Sequence, residues 1–125
     1  MILVTGGRAK QRQNVYRAAE FAWNYLMPRV KKCFVEIEIK KIDDACGYCM
    51  KDDDRHFLVE IDRRLKGDDL LTAVFHEMVH VKQGVRREWE FDEVSYNSHD
   101  EYINLPWEVE AYEVQEEILK EWKRK

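Results

Sequence analysis

His76, Glu77 and His80 fall together in the pentapeptide His76-Glu77-Met78-Val79-His80. On a helix of 3.6 residues per turn, positions four apart lie about 400° round, so the two imidazoles share one face. Two neutral imidazole nitrogens placed this way can grip one Zn²⁺, and Glu77 sits where a carboxylate takes a proton from water on that ion. The pattern alone is loose, because any helix can carry His-x-x-x-His with a glutamate inside it. A third ligand and a frame to hold it must come from elsewhere in the chain.

A catalytic zinc takes three protein ligands and keeps one open position. Beyond His80 the candidates are Glu108, Glu110 and His99. Glu108 is favoured, since it follows Trp107 on the apolar side of a helix and precedes Ala111, whose small side chain lets two helices approach. Glu110 lies about 200° from Glu108, so the two cannot face one metal. The metzincin continuation is missing, with Gln83 and Arg86 where Gly and His belong.

The elements that must position these residues can be read from periodicity. Val15, Ala18, Ala19, Ala22, Tyr25 and Leu26 repeat at helical spacing over residues 10 to 27, and Pro28 ends the run. Residues 34 to 40 alternate apolar and charged, as a half-buried strand does. Residues 45 to 50 form a second, shorter strand and 56 to 62 a third, with tight turns favouring an antiparallel meander. The metal helix runs from about Asp68 to Gln83, with Asp68 or Asp69 as N-cap and Gly84 as its stop. Pro106 opens the last helix, whose stripe is Trp107, Ala111, Val114, Ile118 and Trp122. Residues 85 to 105 have no periodicity, and their length suggests a functional loop or lid.

Other candidates read more cheaply as structure. Cys46-Gly47-Tyr48-Cys49 has the spacing of half a zinc knuckle, but Cys33 alone leaves such a site one ligand short, so buried thiols are expected. Asp52-Asp53-Asp54 lacks the ligand spacing of an EF-hand and suits a solvated hairpin tip. His56 reads as a sheet or surface residue. Gly6-Gly7 lacks the Gly-Lys-Ser/Thr ending of a phosphate loop.

The bulk numbers set limits. With 125 residues the expectation is one domain with a modest core. A net charge of −4 argues against a general nucleic-acid binder, because phosphate contacts need a basic surplus. No apolar run reaches the ~20 residues of a membrane span. No secretory signal is visible and the three cysteines are odd in number, so reduced thiols in a cytoplasmic setting are the default.

Together, His76-Glu77-x-x-His80 and the later Glu108-x-x-Ala111 resemble the zincin metallopeptidases, in a minimal gluzincin form. The chain is similar to ImmA/IrrE-like and SprT-like domains and to small phage or archaeal predicted metallopeptidases. The resemblance implies an α+β zincin-like fold: an N-terminal helix, a small three-stranded, mainly antiparallel sheet, the His-Glu helix and a C-terminal helix carrying the third ligand. It implies one Zn²⁺ held by His76, His80 and Glu108, with Glu77 as general base in peptide-bond hydrolysis. SprT-like proteins use a third histidine, which would make His99 the ligand instead. An oxyanion donor would come from His99, Tyr96, Tyr102 or Tyr112, and Phe57 to Ile61 would offer a strand edge to a peptide or protein substrate. The rival reading is a zinc-binding regulatory or interaction protein that keeps the fold without turnover.

Overall fold

The computed structural model describes residues 1–88 and 104–124. It is an α+β structure with strands β1 (Ile2–Gly6), β2 (Phe34–Lys40), β3 (Gly47–Asp53) and β4 (His56–Asp62). Its helices are α1 (Ala9–Leu26), α2 (Gly67–Val85) and α3 (Pro106–Lys123). None of them is long and apolar enough to cross a membrane.

The alternation read in the sequence puts one face of the sheet in the core. Val35, Ile37 and Ile39 of β2 are buried beside Phe57, Val59 and Ile61 of β4, and the register pairs them one to one. Buried residues of all three helices join the same core, so the helices and this face form two layers. Phe21 of α1, Phe75 of α2 and Trp122 of α3 meet as rings 5.2 to 6.4 Å apart, linking the three helices. In α1 the buried stripe includes Trp23, whereas Tyr25, expected inside, is exposed.

The sheet departs from the expected three-stranded meander. It has four strands in the order β1-β2-β4-β3, with β1/β2 and β2/β4 parallel and only β3/β4 antiparallel. The Met1-Ile2-Leu3-Val4 run forms β1, joined to β2 through α1. Its parallel pairing depends on helix docking, for which no local turn signal exists. β4 takes a central place because its inward side chains are wholly apolar. β3, with Lys51, Asp52 and Asp53 at its end, is better suited to an edge. The edge strands are therefore β1 and β3, and Phe57 to Ile61 lies between two neighbours.

Helix boundaries shift for local reasons. The N-cap of α2 is Lys66, in extended conformation and without a side-chain cap, and Asp68 and Asp69 occupy the first turn. Carboxylates there suit the positive end of the helix dipole. Gly84 does not stop α2. The helix continues to Val85 and closes with Arg87 at φ 57°, its N–H bonded to the Gly84 carbonyl and the Glu88 N–H to that of Gln83. That paired closure is a Schellman motif.

Candidate metal centre

α2 and α3 pack against each other and bring His76, His80 and Glu108 together, with their ligand atoms within 4.8 Å of one another. His80 and Glu108 are buried, and His76 is 13% exposed at its side chain. Glu108 lies fully inside the helix contact. Ala111 is buried one turn further along α3, the small residue that close approach requires.

The two imidazoles have defined tautomers. His76 Nδ1 lies 2.8 Å from Gln115 Oε1, and His80 Nδ1 lies 2.7 Å from Gln83 Oε1. An amide oxygen only accepts, so each Nδ1 carries the proton and donates it. The Gln83 amide is itself held, donating to the Trp107 carbonyl and to Glu110 Oε1. A ring that is neutral then keeps its lone pair on Nε2. The two Nε2 atoms lie 3.2 Å apart, and Glu108 Oε1 lies 3.1 Å from that of His76 and 2.6 Å from that of His80.

Three acceptor atoms converging in a buried space repel unless a cation or protons lie among them. A tetrahedral ion with bonds of ~2.0 Å separates its donors by about 3.3 Å, close to two of the three spacings. The donor set of two imidazoles and one carboxylate suits zinc, so these residues fit the ion that the sequence pattern calls for.

Glu77 projects from the same helix into a cleft of about 720 Å³ lined also by Gly47, Tyr48, His76, Tyr112 and Gln115. Burial pushes the Glu77 carboxyl above its ordinary value; His80 and His76 oppose the shift and Glu108 adds to it. Gly47 is constrained by this wall. A Cβ there would stand 2.7 Å from the Glu60 carbonyl oxygen and 3.2 Å from Glu77 Oε2. Asp44 and Asp69 are the other carboxylates on the cleft, and no lysine or arginine is among its described lining residues. The Tyr48 hydroxyl donates to Asp44 at 2.6 Å, which pushes its pKa up to about 12.

The remaining sequence candidates separate clearly. Glu110 turns to Lys82 and Gln83. Burial raises its carboxyl, but those two partners more than offset the rise and leave it below its ordinary value. The Tyr112 ring sits 4.6 Å from that of His76, at the mouth of the cleft. His99, Tyr96 and Tyr102 lie outside the described residues, as does most of the expected loop. Cys33 is buried, Cys49 half-buried and Cys46 exposed on the cleft, so only part of the expected buried thiol set exists. Asp52, Asp53 and His56 gather at the hairpin tip, where the acids are exposed and Asp53 accepts the Arg55 N–H.

Sequence reasoning missed Gln83 and Gln115. Gln115 stands seven residues after Glu108, on the same helix face, and Gln83 one turn after His80, so spacing alone would have found both. Comparison with protein-family models, with curated proteins and with solved structures found no match.

Proposed function

We propose that the chain is a zinc-dependent peptidase. The reading is carried by the two Nε2 atoms and the Glu108 oxygen converging on one another, with Glu77 buried on the adjoining cleft wall. A bound zinc ion would supply Lewis-acid chemistry, acidifying the attacking water towards a pKa of ~7 and polarising the scissile carbonyl. His76 and His80 would hold it through Nε2, with Gln115 and Gln83 keeping both rings oriented. Glu77 would take the proton of the attacking water and return it to the leaving amine. Tyr112 is within the cleft to donate to the developing oxyanion.

The substrate reading follows from the walls. The cleft begins at Ala45, Cys46 and Gly47, where β3 forms an edge of the sheet, so an extended peptide can add as a further strand. Asp44 and Asp69 favour a substrate with a basic side chain near the cleavage point.

The test is Glu77→Gln. Turnover of a peptide library should fall by about 10²–10⁴-fold while zinc stays near one per chain. Unchanged cleavage removes Glu77 from the mechanism. Zinc-loaded chain that cleaves no peptide moves the reading to a zinc-binding protein without turnover.

A further inference from the structure

A second cavity of about 810 Å³ lies beside the metal cleft and shares Leu65 with it. Arg8, Lys10, Arg63, Arg64 and Lys66 line it, and no carboxylate is among its described lining residues. Arg64 forks onto Asp62. The other four cations make no ion pair among the described residues. In a chain of net charge −4 this is a local excess that the average conceals.

The topology explains why the cations gather. The parallel strands β1, β2 and β4 all run towards this end, and the register brings Gly6 beside Ile39 and Lys40 beside Asp62. α1 follows β1 and α2 follows β4, so both helix N-termini open here, adding partial positive charge and N–H groups without intrahelical partners. The first turn of α1 carries no acid. Of the acids in the first turn of α2, Asp68 bonds to Lys123 and Asp69 lines the metal cleft.

The turn into α1 packs closely on the end of β2, where a Cβ on Gly6 would collide with the Ile39 carbonyl oxygen. Gly6 and Gly7 have φ of 77° and 57°, and Arg12 bonds both of their carbonyl oxygens. The Arg8 N–H donates to Gln11 Oε1 at 2.8 Å, so the amides left for a ligand are those of the first turn of α1 itself. Gly6-Gly7 lacks a phosphate-loop sequence, yet it occupies the strand-to-helix turn where open parallel sheets receive phosphate groups.

We propose that this cavity binds a phosphate-bearing ligand of nucleotide size. Arginine guanidinium groups match phosphate oxygens in pairs, and the two helix ends add to the same field. Ile39, Leu65 and Leu70 supply an apolar wall beside the cations, against which a nucleoside can pack.

The experiment is calorimetric titration of the full chain with ADP at low ionic strength, with inorganic pyrophosphate as competitor. One-site binding is expected, displaced by pyrophosphate and weakened about tenfold or more in the Arg63→Ala/Lys66→Ala double variant. Both side chains are exposed and Lys66 makes no cap bond, so the fold should tolerate their loss. Tighter binding of ADP than of pyrophosphate assigns part of the affinity to the apolar wall, and equal binding assigns it to the phosphates alone. Either result upholds the site. Unchanged ADP affinity in the double variant places the nucleotide elsewhere, on the metal trio for instance, and overturns the proposal. So does the absence of binding up to about 1 mM, or a preference for a single-stranded oligonucleotide or a polyglutamate peptide over ADP.

Discussion

Two cavities of similar size meet at Leu65, and they are opposite in charge. The metal cleft shows Asp44, Asp69 and Glu77, and its neighbour shows a ring of arginines and lysines. The difference comes from which ends of which elements border each cavity. The basic cavity lies at the carboxyl ends of the parallel strands and at two helix N-termini. The cleft lies along the flank of α2, over side chains from its middle turns and from α3. A net charge of −4 excludes neither, because charge acts over roughly a Debye length of ~8 Å and not over the whole molecule.

The largest effects that would break this contrast lie at the metal trio. Glu108→Ala should abolish tight zinc binding, Gln83→Leu should weaken it by about 10–100-fold, and Glu110→Ala should change it least. Metal titration with a competing chelator gives the ranking; a greater loss for Glu110→Ala would move the third ligand. None of the three should alter ADP affinity if the cavities act separately.

A smaller effect concerns the cleft's charge. Asp69→Lys should lower kcat/KM about tenfold for peptides with a lysine or arginine near the scissile bond, and should favour acidic peptides. Equal losses on both peptide sets would remove Asp69 from substrate selection.

The smallest effect is at Arg64, the one cation of the basic cavity with a carboxylate partner among the described residues. Its hydrogen bonds hold the Asp62 carboxyl below its ordinary value. A depressed folded-state pKa gives stability that is present above the ordinary carboxylate range and is lost as pH falls through the folded value. Arg64→Ala should therefore lower Tm modestly near neutral pH, and its melting curve should converge on that of the parent in acid. A difference that persists at low pH would mean that Arg64 acts through its bond to the Ile42 carbonyl instead.

The sequence was most legible where one side chain's neighbours are local. The alternation in β2 and β4 and the stripes of the helices follow from period alone, and Glu108 could be chosen over Glu110 because a helix separates them by more than half a turn. It was least legible where a partner is remote. β1 pairs with a strand some thirty residues away in the register, Ile2 against Val35, and nothing local marks it. The order of β3 and β4 turned on which strand could be buried on both edges. Gly47 is fixed by Glu60 and Glu77, and the basic cavity by three strand ends and two helix ends, which converge only in three dimensions.

Glu108 belongs to a different helix from the two histidines. An ion held by all three is therefore a cross-link between α2 and α3, and its binding energy is also docking energy for the C-terminal helix. Amide hydrogens of α3 should exchange more slowly when zinc is present, and chelation should speed them before it affects β2 or β4. The metal would then serve as a fastener as well as a reagent, coupling the presence of the ion to the integrity of the wall that carries Tyr112.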